Sequence, residues 1–144
     1  DPEFMKTKYD PRLVVIDDQS LETDETRANN RRSLLDDNAT NMVDFIEGNF
    51  MDPDIMSQVK DTYSKFDMCW FDCGGPIELQ FFLDNYLDIV KEYFVVHFTF
   101  FKGKENKNGE TISKFLETNS HIQRLDIIEP HKYRQGSITI LRKT

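Results

Sequence analysis

Several acidic or amide side chains stand directly after apolar runs, where a folded sheet would present them to a ligand. Asp72 closes the run FDMCWFD and is followed by CGGP. Asp17 and Asp18 close RLVVIDD, and Asn49 follows the apolar part of MVDFIEGNF. A buried strand that ends in an acid and continues into Gly and Pro is typical of a functional loop. In open parallel sheets, ligands bind beyond the carboxyl ends of the strands.

Each of these side chains also has a purely structural interpretation. Asp17 and Asp18 also fit as solvated loop acids or as caps of the following helix. Asp72 beside GGP fits a plain turn at a strand end, and Asn49 fits a turn residue. His97 lies within an apolar run, which favours a buried, hydrogen-bonded histidine over a catalyst.

Composition narrows the function classes. The chain has 144 residues and a formal net charge of −8. An acidic surface argues against nucleic acid and anionic membranes as partners, because both attract positively charged proteins. No apolar run approaches the ~20 residues of a membrane span. A small molecule or another protein is the expected substrate.

Cys69 and Cys73 flank Asp72. We expect both thiols to be half-buried and reduced, which indicates a cytoplasmic protein without a disulfide framework. Their spacing, without a nearby pair of histidines, does not predict a metal site.

Apolar periodicity predicts strands that alternate with helices until a terminal pair of strands. Trp70, in the middle of a strand, is predicted to lie in the core, and the Phe81, Phe82 and Leu83 cluster fits either the core or an oligomer interface. The predicted strands are 12–17, 42–50, 67–72, 92–100, 121–130 and 136–144, the helices are 21–38, 52–66, 76–93 and 111–119, and 102–110 is a polar turn.

This alternation predicts an α/β fold of three layers, with a mostly parallel sheet and an antiparallel C-terminal strand. Residues 5–144 are predicted to form a single domain. Residues 1–4, DPEF, have the character of a vector-derived scar and are excluded from the fold.

The order of these segments resembles the class I S-adenosylmethionine-dependent methyltransferases, which have a Rossmann-like fold. VVIDDQS resembles the second strand of that family, DFIEGNF the third and FDMCWFDCGG the fourth. EYFVVHF and the closing GSITILRK match the remaining strands, so that the resemblance covers about 130 residues.

The resemblance implies S-adenosylmethionine as cofactor and methyl transfer to a small-molecule or protein acceptor as activity. Asp17 would hold the ribose hydroxyls, with Asp18 as its nearest substitute. Asn49 stands where the family has an acid near the adenine amine. Asp72 would face the methyl-transfer site, which makes it both a cofactor-binding and a catalytic candidate. The fold does not imply the acceptor.

The sequence departs from the family at two points. The family's first strand and its glycine-rich loop should precede residue 12, yet no GxG occurs in the chain. Three explanations follow: a fragment of a longer protein, a gap in the sheet that a partner, a second copy or an altered strand order fills, or a fold that no longer binds the cofactor. HFTFF at 97–101 also stands where the metal-dependent branch has Asp-Asn, which argues against a catalytic Mg²⁺.

A phosphoacceptor receiver domain is the alternative from another class. That family also opens with a strand ending in paired acids, and its phosphorylated Asp precedes a Pro by four residues, as Asp72 precedes Pro76. Glu129 stands where its lysine is expected, and the closing GSITILRKT predicts a strand instead of a final helix. A non-catalytic α/β interaction module is the third hypothesis.

Overall fold

The computed structural model describes residues 13–34, 43–129 and 136–144. The chain divides into two compact units, Asp1–Val59 and Lys60–Thr144. The predicted scar at 1–4 and the end of the predicted first helix at 35–38 lie outside the described residues.

The first unit contains a pair of parallel strands. Strand β1 (Leu13–Asp17) pairs with β2 (Val43–Glu47) over its whole length, so that Asp17 lies opposite Glu47 at the carboxyl ends. Helix α1 (Asp24–Leu34) connects the two strands along the chain. The apolar residues of β1 predicted a buried strand, and this was wrong: Leu13 is 56% exposed and the three central residues are half-buried.

Local capping signals set where the helices begin. Thr23 Oγ1 accepts a hydrogen bond from the backbone N–H of Thr26 at 3.2 Å and caps α1. Helix α2 (Pro53–Thr62) begins at the predicted proline, and Asp52 Oδ1 accepts the N–H of Asp54 at 2.9 Å. The predicted start of α2 is thereby confirmed.

The second unit is built on a mixed four-stranded sheet. Its elements are β3 (Phe66–Phe71), α3 (Pro76–Asn85), a 3₁₀ turn (Leu87–Ile89), β4 (Val90–His97), β5 (Phe100–Phe101), β6 (Lys104–Glu105), α4 (Lys107–Glu117), β7 (Ile122–Ile128) and β8 (Ser137–Lys143). The strand order in the sheet is β3-β4-β8-β7. Strands β3 and β4 are parallel, whereas β8 runs antiparallel to both of its neighbours.

The α/β class and the antiparallel C-terminal strand are thus confirmed. A mostly parallel sheet is not confirmed: in the described residues, the parallel pairs β1–β2 and β3–β4 occur together with the antiparallel pairs β4–β8 and β7–β8. Strands β7 and β8 follow each other along the chain, and an antiparallel pair needs only a short connection. A parallel pair needs a longer crossover connection.

One face of this sheet forms the core of the second unit. Phe71, Phe94 and Leu141 are at most 3% exposed. Phe82 from α3 stacks on Phe94 with ring centroids 4.7 Å apart and meets Phe71 edge-on at 5.5 Å. Burial of such large aromatic surfaces is the main stabilising contribution that this helix makes.

Several predicted boundaries were wrong. The predicted helix 76–93 ends at Asn85, and the strand after it begins at Val90. The predicted polar turn 102–110 contains the β5–β6 hairpin, whose Lys102 and Gly103 both have positive φ, as a tight hairpin turn requires. Helix α4 then begins already at Lys107.

Among the described helices, none has the length and apolar composition needed to cross a membrane.

Candidate functional site

Asp72 and His97 form a hydrogen-bonded pair at the carboxyl ends of two neighbouring parallel strands. Asp72 follows β3 directly, and His97 is the last residue of β4. Asp72 Oδ1 lies 2.9 Å from His97 Nδ1. The Asp72 side chain is 56% exposed, whereas that of His97 is only 18% exposed. A carboxylate on Nδ1 favours the tautomer with a proton on Nδ1, which leaves Nε2 as a proton acceptor.

Trp70 completes this cluster. Its indole ring lies nearly parallel to the His97 imidazole, at 20° with ring centroids 6.0 Å apart. Trp70 and Asp72 are two residues apart and therefore lie on the same side of β3. We predicted Trp70 to lie in the core, and this was wrong, since it is 53% exposed. The cluster thus presents an aromatic surface beside a polar pair.

The loop after Asp72 is held by contacts that need glycine. Gly74 has a φ of +61°, and a Cβ atom there would approach the Glu78 carboxyl group to 2.6 Å. Glu78 Oε2 accepts the backbone N–H of Gly75 at 2.8 Å and so joins the loop to the first turn of α3. Pro76 opens the helix, as predicted. This arrangement gives the backbone after Asp72 a defined course.

Asp17 and Asp18 lie at the carboxyl end of β1 in the first unit, and both are exposed. Asp17 Oδ1 accepts the N–H of Gln19 at 2.7 Å, and Asp18 Oδ1 accepts the N–H of Ser20 at 2.9 Å. The hydrogen bond from Ser20 holds the pKa of Asp18 below its usual value.

Asn49 lies close to Asp17 along the same sheet edge. The backbone N–H of Gly48 donates to the Asp17 carbonyl oxygen at 3.1 Å, which extends the β1–β2 pairing past the strand ends. Asn49 is exposed, and its Oδ1 accepts the N–H of Met51 at 2.9 Å. The structure therefore brings Asp17, Asp18 and Asn49 to one edge of the first unit, while Asp72 belongs to the second unit.

Gln19 is a candidate that the sequence did not reveal. It has a φ of 53°, which is uncommon for a residue other than glycine, and it is only 2% exposed. Asn30 Nδ2 donates to its Oε1 at 3.0 Å. Its Nε2 has no hydrogen-bond partner in the described part of the chain. A buried donor without a partner is costly in a folded protein, which marks this side chain as a candidate ligand contact.

The cysteines differ from each other. Cys69 is half-buried, as predicted, and burial raises its pKa to about 12, with a smaller contribution from Cys73. Cys73 is exposed, so the prediction that it is half-buried was wrong. Neither cysteine forms a disulfide bond. Within the described ranges, no three His, Cys, Asp or Glu side chains come together in a group that could hold a metal ion.

Comparison with known proteins gives matches in structure alone. No family model matches the sequence, and no curated protein matches it significantly. The O-methyltransferase from Bacillus cereus, solved with SAH, matches with a TM-score of 0.62 at 17% identity, over 92% of this chain and 63% of that chain. The O-methyltransferase TomG from Streptomyces achromogenes, solved with SAM, matches with a TM-score of 0.62 at 17% identity, over 92% of this chain and 62% of that chain.

An rRNA methylase from Streptococcus thermophilus also matches, with a TM-score of 0.59 at 9% identity, over 98% of this chain and 92% of that chain. The chain therefore spans less than two thirds of the two O-methyltransferases but nearly the whole of the rRNA methylase. These matches establish the fold. It is the fold of the class I S-adenosylmethionine-dependent methyltransferases, as the sequence predicted.

Proposed function

We propose that this chain carries out S-adenosylmethionine-dependent methyl transfer to a small-molecule or protein acceptor. The observation that carries the proposal is the methyltransferase fold combined with polar side chains at the carboxyl ends of its parallel strands. Ligands of such sheets bind at these ends. The cofactor supplies an activated methyl group on a positively charged sulfur.

Asp17 is the proposed ribose ligand, with Asp18 as its nearest substitute. The local turn uses Asp17 Oδ1, so that Oδ2 is the oxygen assigned to a hydroxyl group. Asn49 is assigned to the adenine, since its Oδ1 keeps a second lone pair beyond the bond from Met51. The buried Nε2 of Gln19 supports a ligand at this edge, because such a donor gains a partner when a ligand binds.

Asp72 is proposed to lie by the reacting methyl group. A carboxylate there stabilises a neighbouring positive charge, and its bond to His97 holds it in one orientation. Methyl transfer itself depends mostly on alignment of the donor and the acceptor. Each of these two groups of residues, taken by itself, fits the part of the cofactor that is assigned to it.

The net charge of the chain indicates the class of methyl acceptor. One neighbour in structure is an rRNA methylase, which makes RNA the competing acceptor. A net charge of −8 opposes binding to a polyanion, and this favours small molecules or proteins. Two cysteines that form no disulfide bond support a cytoplasmic location, where thiols stay reduced.

The receiver-domain alternative loses support. Its fold ends in a helix, whereas Ser137–Lys143 is a strand between β4 and β7. A non-catalytic module with a methyltransferase fold remains the competing hypothesis, because the chain contains no GxG.

Calorimetry with S-adenosylmethionine tests the proposal. Without backbone contacts from a glycine-rich loop, each worth about 1 kcal/mol, we expect weak binding, in the range of roughly 100 μM to 1 mM. Asp17→Ala should weaken binding about tenfold or more, since it removes a charge-assisted hydrogen bond. Glu22→Ala, an exposed acid nearby, is the matched control and should bind normally. If the chain does not bind S-adenosylmethionine, or if Asp17→Ala binds it as tightly as the unaltered chain does, the similarity to methyltransferases is one of fold alone.

A further inference from the structure

We propose that the outer face of the β5–β6 hairpin binds a short acidic segment of the protein that accepts the methyl group. This outer face consists of Phe101, Lys102 and Lys104. The inference deepens the proposed function by choosing a protein among its acceptors, and in that respect it rests on methyl transfer. Binding of the acidic segment needs no cofactor, so that the surface can be tested by itself.

The register of the hairpin divides its side chains between two faces. Phe100 pairs with Glu105, and Phe101 pairs with Lys104. Since successive residues of a strand point to opposite faces, each pair occupies a face of its own. Phe101 is 40% exposed, and Lys104 is also exposed. Lys102 Nζ lies 5.4 Å from the centroid of the Phe101 ring. The outer face therefore combines an aromatic ring with two ammonium groups.

The inner face holds the hairpin to the rest of the second unit. Ser137 Oγ accepts the backbone N–H of Phe100 at 2.9 Å. Arg124 Nη2 lies 3.1 Å from Glu105 Oε1, and Ser113 Oγ donates to the same oxygen at 2.6 Å. The carboxylate of Glu105 is thus paired with an arginine and does not neutralise the lysines of the outer face. A surface that is already held in place loses little conformational entropy when a partner binds.

The turn of the hairpin carries a lysine where the backbone favours another residue. Lys102 has a φ of 51°, and Gly103 has a φ of 74°. Two-residue hairpin turns with positive φ at both positions strongly favour Asn followed by Gly. A residue in an unfavourable backbone conformation points to a function of its side chain. The ammonium group at the tip of the hairpin is what this lysine supplies.

The charges indicate the class of partner. The chain has a formal net charge of −8, and the outer face of the hairpin presents two cations. A nucleic acid brings one negative charge per nucleotide, and its affinity depends on the neutralisation of many phosphates. A short acidic peptide on the hairpin interacts mainly with charges within about 8–10 Å at physiological salt. Two acids that flank one apolar side chain therefore match the two lysines and the aromatic ring.

The hairpin lies close to the proposed methyl-transfer site. Phe101 follows His97 by four residues, so that their Cα atoms are at most about 14 Å apart. Asp72, which is proposed to lie by the reacting methyl group, is hydrogen-bonded to His97 at 2.9 Å. An extended peptide covers this distance in about four or five residues. We therefore expect the methylated residue about four or five positions away from the acidic segment.

Binding is tested by NMR on the complete chain with the capped peptide Ala-Glu-Leu-Glu-Ala as the probe. The amide signals of Lys102, Gly103 and Lys104 should shift in a saturable way at millimolar concentration, because exposed ion pairs are weak. The capped peptide Ala-Gln-Leu-Gln-Ala should bind about fivefold more weakly or less. Equal binding of both peptides, or no shift, would overturn the proposal.

Two further probes distinguish the source of the negative charge. Free glutamate should not saturate the same signals at the concentration that suffices for the acidic peptide. If it does, the partner is a small molecule and the protein acceptor is overturned. A uridine octanucleotide should bind more weakly than the peptide. Tighter binding of the octanucleotide at these amides would overturn the protein partner in favour of RNA.

Variants of the outer face test the individual side chains. Lys104→Glu should weaken peptide binding about fivefold or more, and Phe101→Ala about threefold. Lys102→Asn should weaken binding about threefold without lowering the urea midpoint, because Asn suits the turn. Lys65→Glu is the matched control: Lys65 is exposed directly before β3, at the amino ends of the parallel strands, and its variant should bind the peptide normally. Unchanged binding in Lys104→Glu, or a lowered midpoint with unchanged binding in Lys102→Asn, would show that the lysines serve the fold or solubility and would overturn the proposal.

The outcomes separate this inference from the proposed function. Cofactor binding in calorimetry without binding of the acidic peptide would overturn the docking surface, while methyl transfer as a function would stand. Peptide binding without cofactor binding would support the docking surface and overturn the role of the bound protein as a methyl acceptor.

Discussion

Leu125 lies in the same lateral row of the sheet as Trp70, at the opposite edge. The register pairs Trp70 with Val95, Val95 with Ile140 and Ile140 with Leu125. Side chains in such a row share one face of the sheet. Leu125 is 58% exposed, and Trp70 is 53% exposed. This face of the sheet therefore exposes apolar side chains on both of its edge strands, whereas Val95 between them is buried at 6%.

The extent of this surface predicts self-association with a second copy. The same face carries Met68 and Ile127, at 57% and 50% exposure. These side chains together expose on the order of 400 Å² of apolar area, a size that marks interaction sites on monomers. Strand β3 is also an edge strand of its sheet within the described residues, and edges of this kind pair with other chains. A partner that completes the sheet would use the same edge.

Leu125→Lys should therefore shift the chain toward the monomer, because a charge on this face cannot be buried cheaply. Sedimentation at several protein concentrations measures the effect, and we expect the dissociation constant to rise at least tenfold. Ile77→Lys is the matched control, since Ile77 is 77% exposed on helix α3. An unaltered chain that is monomeric at all concentrations would contradict the prediction.

Strand ends and helix starts could be read from the sequence because their signals are local. Asp52 and Pro53 specify the start of α2 by capping and by the fixed φ of proline. The Gly-Pro pair before α3 works in the same way. The place of Asp72 after a strand was predictable for this reason. The end of α3 was not, because the apolar residues that follow it satisfy helical and strand patterns alike.

The contacts that the candidate site residues make depend on neighbouring strands that lie far away along the chain. His97 meets Asp72 only because β3 and β4 are adjacent and end together, which is a property of strand order. The position of Trp70 in the middle of an apolar strand predicts a core residue. Its actual exposure depends on whether another element packs on its face of the sheet, which the strand itself does not determine. Gln19 offered no signal, since glutamine in a loop is normally solvated.

Gly74→Ala should destabilise the chain by about 1–2 kcal/mol. The positive φ of Gly74 is unfavourable for any residue with a Cβ atom, and that atom would also crowd Glu78. Gly75→Ala is the matched control, because Gly75 has a negative φ and the nearest atom to its Cβ would be 3.7 Å away. Urea denaturation of both variants measures the difference. Equal stabilities would contradict the strained conformation.

Phe94→Ala should cost about 3–5 kcal/mol of unfolding free energy, the range for loss of a large buried aromatic side chain. Phe94 is 0% exposed and stacks on Phe82 at 4.7 Å. Phe94→Leu keeps most of the volume and should cost clearly less, since the remaining cavity is smaller. If both substitutions lower the free energy of unfolding equally, the side-chain volume of Phe94 does not explain its contribution to stability.

Cys73 should react with iodoacetamide in the native chain, whereas Cys69 should react only after unfolding. Cys73 is exposed, while burial raises the pKa of Cys69 to about 12, so that almost no Cys69 thiolate forms near neutral pH. Peptide mass spectrometry after labelling at pH 8 locates the modified residue. Cys73→Ser should leave the native chain unlabelled, and label on native Cys69 would contradict the burial of its thiol.

The same shift in pKa makes stability depend on pH at the alkaline end. The unfolded Cys69 thiol loses its proton near the ordinary value of 9.0, whereas the folded thiol keeps it up to about 12. The unfolded chain therefore binds fewer protons in this interval, and the free energy of unfolding falls as the pH rises from 9.0 toward 12. Below pH 9.0 the contribution of Cys69 to the free energy of unfolding is constant.

Cys69→Ala should remove this dependence of the unfolding free energy on pH, measured by urea denaturation between pH 9 and 10.5. Cys73→Ser should retain most of it, because burial raises the pKa of Cys69 more than Cys73 does. An identical slope in the unaltered chain and in Cys69→Ala would show that other groups cause it.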